Sequence, residues 1–153
     1  MPADATIVAL RKDVTKALKD KAWCQQFIPE QKYVARIDLE EVDQLKVTVM
    51  KAQWGIDTDN RADWENEYDI DIGIQYRANP AKGVEATDKF DELMLLVQEI
   101  AEYFQDTRPT IADCPLMTIG VGPGGNGQPY IPDHIETLNQ FTAVVRLTFR
   151  KWR

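Results

Sequence analysis

The sequence predicts an α+β fold, a single domain over residues 1–153 with a largely antiparallel sheet packed by two helices and carrying two long loops. Three observations point there. Apolar residues recur at spacings of three and four in two stretches, and they alternate singly in several others. Only one long helical stretch separates the strands, so hairpin-type links dominate. A chain of 153 residues is one ordinary domain's worth. Folding at that size hides roughly 68–70% of the unfolded surface, enough for a core without disulfides or metal.

The first helix runs from Asp4, its expected cap, to about Lys19, with Ile7, Leu10, Val14 and Leu18 on one side and Arg11, Lys12, Asp13 and Lys16 between them. A linker through Trp23, Phe27 and Pro29 leads to Tyr33, Ala35, Ile37 and Leu39, which alternate as a half-buried strand does. Leu45, Val47 and Val49 alternate likewise. So do Tyr68, Ile70, Ile72, Ile74 and Tyr76, whose neighbours Asp69, Asp71 and Gln75 define a wet face. Between these two strands, Lys51 to Glu67 is acid-rich and shows neither period. It reads as an excursion beyond a tight turn, with Trp54 and Trp64 embedded.

Thr87 opens the strongest helix, with Asp88, Asp91 and Glu92 in its positive first turn and Phe90, Leu93, Met94, Val97, Ile100, Ala101 and Phe104 on one stripe. Pro109 marks its end. Leu116 to Val121 is a short apolar strand, and Gly120 to Pro132 is the second long loop, holding five of the eight glycines and three of the eight prolines. Phe141, Ala143, Val145, Leu147 and Phe149 form the last strand. It shares a sheet with Tyr68 to Tyr76, which is expected to be central, because both carry five alternating apolar residues that need a common buried face.

Charge and composition narrow the function. With 25 acidic against 18 basic residues the net charge is -7, the wrong sign for gripping duplex phosphates over a broad face. No apolar run reaches the ~18–20 residues of a membrane helix, and a chain made and kept in the cytosol is expected. Cys24 and Cys114 stand far apart without a CxxC partner, against a thiolate zinc site or a disulfide framework.

The motif matches fail on their own chemistry. Gly120-x-Gly122-x-x-Gly125 follows a predicted strand, yet Pro123 and Pro129 interrupt the helix that would receive a pyrophosphate. Asp57-x-Asp59-x-Arg61-x-Asp63 begins like a calcium loop, but Arg61 fills a ligand place, Ala62 the glycine place and Tyr68 the bidentate glutamate place. The single histidine, His134, cannot build a multi-histidine metal centre and has no nucleophile beside it in a known motif. Asp69 and Asp71 lie along one strand rather than across a cleft, and read as solvation. No catalytic residue and no cofactor is expected, so function is sought in binding or assembly.

The element order carries a resemblance. The N-terminal helix comes first, then the stretch Asn60-Arg61-Ala62-Asp63-Trp64-Glu65-Asn66-Glu67-Tyr68 running into Asp69-Ile70-Asp71-Ile72-Gly73-Ile74. The helix Asp88 to Phe104 and the tail Pro129-Tyr130-Ile131-Pro132-Asp133-His134 through Phe149 follow. Together they resemble the small neck and tail-completion proteins of long-tailed bacteriophages, and among these the tail terminators. The resemblance implies a non-enzymatic α+β subunit of a hexameric ring that caps the tail tube, meets the head connector and lets DNA pass without specific binding. It implies a place in the virion neck after assembly in the host cytoplasm. Another head-tail connector, a tube subunit, or a small ligand-binding domain using the glycine-rich loop are the alternatives. The candidate assembly surface comprises Trp54, Asp57, Asp59, Arg61, Trp64, Gly122, Gly125, Tyr130, His134 and Arg150, since aromatic side chains on loops anchor interfaces; the alternative is that Trp54, Trp64 and Tyr130 cover the sheet edge inside a monomer.

Overall fold

In the computed structural model the described residues are 5–31, 45–58, 64–77, 84–111, 113–122, 127–132, 135 and 140–152. Helix α1 (Thr6–Lys19) buries Leu10, Val14 and Leu18, the spacing of a single face. Ala5, rather than Asp4, is its N-cap residue, and no side chain caps it. The hydroxyl of Thr15, buried on the same face, donates to the Arg11 carbonyl at 2.7 Å, which satisfies that hydroxyl out of water. Lys16 and Lys19 complement the negative end of the helix.

The linker after α1 is tied down. Trp23 Nε1 donates to the Leu18 carbonyl at 2.8 Å, and its ring meets Tyr103 edge-on at 5.5 Å. Strand β1 (Glu30–Gln31) then pairs in parallel with Thr48 and Val49 of β2 (Leu45–Thr58). The strand expected at Tyr33 to Leu39 lies outside the described residues.

Strand β3 (Trp64–Arg77) pairs antiparallel with β2 from Leu45↔Tyr76 to Thr58↔Trp64. The segment Lys51 to Glu67 is therefore not an aperiodic excursion. Its described residues are the far halves of two 14-residue strands, and its missing alternation has a local cause: between Lys51 and Gln53 the register shifts by one residue, with Ala52 as the extra one. Before the shift Val47 and Val49 face the core, and after it Trp54 and Ile56 continue that face beyond the buried rows.

Helix α2 (Val84–Thr107) begins three residues before Thr87, which lies inside it instead of capping it. It ends where Arg108 adopts a left-handed φ of 37° ahead of Pro109, whose ring cannot extend a helix. Strands β4 (Thr110–Ile111) and β5 (Cys114–Val121) form a tight antiparallel pair, and β6 (Gln140–Trp152) closes the sheet. The order is β1-β2-β3-β6-β5-β4, antiparallel at every junction except β1–β2. Two helices and this mostly antiparallel sheet make an α+β fold, with β3 and β6 at its centre.

The core lies on one face. Rows of cross-strand neighbours run Val47–Ile74–Ala143, Val49–Ile72–Val145 and Ile70–Leu147–Ile119, ending with Tyr68–Phe149–Leu116. Leu93, Leu96, Val97, Ile100 and Phe104 of α2 join them, and all five are at most 2% exposed. Each such side chain contributes on the order of 1.5–3 kcal/mol by leaving water.

Candidate functional site

Past the Tyr68–Phe149 row the buried core ends and the sheet continues. Trp54 pairs with Tyr68, and Ile56 pairs with Asn66 in a row that Lys151 completes. The apolar face of the hairpin is thus prolonged beyond its cover. Tyr68 is 4% exposed, whereas Trp54 is 56% and Ile56 61% exposed. The Trp54 ring stacks on Tyr68 at 5.6 Å and 29°, and Nε1 donates to Asn66 Oδ1 at 3.2 Å, so its orientation is held while its outer face stays bare. Strand β1 covers β2 only at Thr48 and Val49, and from Met50 to Thr58 the outer edge has no paired strand among the described residues.

A second apolar surface lies between α2 and β5. There a groove of about 470 Å³ is lined by Met94, Leu95, Ala101, Val121 and Pro129, with Asp91 and Glu102 at its margin. Leu95 is 51% exposed. Beside Pro129, Tyr130 stacks on Phe141 at 6.2 Å and remains 37% exposed.

The opposite face of the sheet is polar, but it is not the wet surface expected from Asp69, Asp71 and Gln75. Asp69 and Gln75 are each only 8% exposed. Arg146 forks onto Asp71 with Nε–Oδ1 of 2.8 Å and Nη2–Oδ2 of 3.1 Å, and lies 3.7 Å from Asp69. Thr148 donates to Asp69 at 2.7 Å. The bidentate pairing raises the pKa of Arg146 above its ordinary value. Arg150, expected at the assembly surface, instead pairs with Glu65 and Glu67 across the β3–β6 junction. These carboxylates are held by cations and serve the sheet.

Neither thiol is activated. Desolvation, then the hydrogen bond and charge of Glu99, push Cys24 up to about 11, although the residue as a whole is exposed. Burial likewise raises Cys114. A nucleophilic or metal-binding cysteine needs the reverse shift. Among the described residues no group of three or more His, Cys, Asp or Glu is placed to hold a metal ion.

Of the expected surface, Trp54 and Tyr130 are exposed aromatics at separate places. Asp57 and Trp64 lie in strands, the former paired with Glu65, the latter with Thr58. Gly122, at a φ of 94°, donates to the Val144 carbonyl at 2.7 Å and so prolongs the β5–β6 pairing. Gly127 donates to Val121 at 2.7 Å and Ile131 to Thr142 at 2.9 Å, so the glycine-rich loop is pinned to the sheet at its described ends. Asp59, Arg61, Gly125 and His134 lie outside the described residues.

Two contributors escaped the sequence reading. Ile56 was hidden by the phase shift at Ala52. Leu95 carried a visible signal, an apolar residue on the polar side of α2 among Asp91, Glu92, Gln98 and Glu102. No helix among the described residues is long and apolar enough to cross a membrane. Compared with known proteins, the chain matches no family model and no curated sequence.

Proposed function

We propose that this chain is a structural subunit of the neck of a long-tailed bacteriophage, similar to a tail terminator. Copies assemble into a ring, hexameric by that resemblance, which caps the tail tube, meets the head connector and leaves a lumen for DNA. The single observation that carries an assembly role is the bare end of the β2–β3 hairpin. Two large apolar side chains on a strand beyond the core, each more than half exposed, cost solubility unless another surface covers them.

Two further features support the reading. The net charge of -7 disfavours trapping of DNA as it moves through, since affinity for a duplex comes mainly from cations on phosphates. Two cations of the sheet, Arg146 and Arg150, are paired with carboxylates of the same chain. The chain acts by assembly and not by catalysis.

Native mass measurement and negative-stain imaging of the purified protein, alone and with tail tubes, test this. Closed rings with a central opening that seat on tube ends are expected. A strictly monomeric protein that ignores tubes and connectors, and whose melting temperature rises with a small ligand, overturns the reading in favour of a ligand-binding domain. Rings that bind connectors or copolymerise with tubes, without capping them, assign it to another part of the neck or tail.

A further inference from the structure

The two exposed apolar surfaces are different in kind and sit at different places. One is a projecting ridge on β2, the other a groove beside β5, and β2 and β5 are second and fifth in the six-stranded order. Five large apolar side chains are exposed among the described residues. Trp54 and Ile56 form the ridge, Leu95 lines the groove, Tyr130 adjoins it through Pro129, and only Ile28 lies elsewhere.

We infer that the ridge of one copy seats in the groove of the next, so that Trp54 and Ile56 cover Leu95, Met94 and Val121 of a second copy. The inference rests on the ring reading above and adds to it which surfaces meet. Contacts between two unlike patches on one chain are heterologous, the class that closes into rings or runs into filaments. A two-fold contact of ridge on ridge brings together two surfaces that both carry Lys151 and leaves the groove uncovered.

Charge favours the head-to-tail pairing. Lys151 stands in the Ile56–Asn66 row and on the same face, at the flank of the ridge. Asp91 and Glu102 stand at the margin of the groove. A ridge flanked by a cation thus meets a groove rimmed by carboxylates, which fixes register as well as affinity. An aromatic anchor in an apolar pocket is the usual energetic centre of such an interface.

Sedimentation velocity on variants tests this. Trp54→Ser with Ile56→Ser removes the ridge, and Leu95→Asp spoils the groove; each protein alone is expected to be monomeric, with an unchanged circular dichroism spectrum and cooperative unfolding. Mixed in equal amounts they form a one-to-one dimer and nothing larger, because one intact ridge and one intact groove survive. Should a variant misfold, surface charge reversals replace it. Lys151→Glu weakens assembly at least tenfold, and combining it with Asp91→Lys and Glu102→Lys restores most of the loss. Wild-type assembly by both variants, or monomers that fail to dimerise on mixing, overturn this interface and leave the ring reading standing. A wild-type chain that is monomeric at all concentrations and on tube ends overturns both.

Discussion

Trp54 lies over Tyr68 at a centroid distance of 5.6 Å, and the two rings straddle the boundary of the core. Tyr68 is buried with the rest of its row, whereas Trp54, the first residue of β2 past the bulge to face the same way, is 56% exposed. A hydrophobic face that runs off the edge of its own cover is the feature from which the assembly reading grows.

Ile72 is fully buried at the middle of the Val49–Ile72–Val145 row. Ile72→Asp places an unpaired carboxylate there, at a cost above the ordinary ~0.5–3 kcal/mol of point changes. Soluble protein that unfolds cooperatively in urea after this change contradicts the core described above.

Arg146 is the shared partner of Asp69 and Asp71, with its side chain 16% exposed. Arg146→Met leaves two carboxylates without their cation and is expected to lower stability by about 3 kcal/mol. Thr148→Val, which removes one hydrogen bond to Asp69, costs about 1–2 kcal/mol. Equal effects in denaturant titrations contradict the hierarchy.

Cys24 is exposed, yet its thiol is raised from 9.0 to about 11. Alkylation at pH 8 is therefore expected to run about a hundredfold slower than for a free thiol, one factor of ten per unit. Glu99→Gln speeds it, but only in part, because desolvation is the larger cause. The carboxylate itself is lowered below its ordinary 4.5 by the hydrogen bond to Cys24, so its contribution is present above pH 4.5 and is lost as pH falls through the lowered folded value. Acid loosening of the linker, followed by hydrogen exchange at the Cys24 amide that Glu99 accepts at 3.0 Å, checks the sign.

Two glycines separate backbone strain from crowding. Gly127 has a φ of 86° and open space where a Cβ would stand, so Gly127→Ala costs about 1–2 kcal/mol through the backbone alone. Gly55 has open space and no such φ, and Gly55→Ala is expected to be neutral or to stabilise by up to about 1 kcal/mol. Thermal melts that rank the two the other way contradict the backbone described here.

Periodicity alone determined the class of this fold, because a buried face imposes its spacing on the chain wherever a regular element crosses the core. Leu10, Val14 and Leu18 declare a helix, and Ile70, Ile72 and Ile74 a strand, without any knowledge of their partners. The spacing fails where burial fails. At the far end of the hairpin the strand is held by pairing with its neighbour instead of by a core, and the extra residue Ala52 inverts the phase, so Trp54 and Ile56 look aperiodic. Only the tertiary structure decided that they share a face with Tyr68. It also decided that Asp69 and Asp71 are not solvated, since their partner Arg146 lies 75 residues or more away along the chain and only the β3–β6 register brings it alongside. Leu95 belongs with them: one apolar residue among charged neighbours says little, until β5 and Pro129 arrive beside it and make a groove.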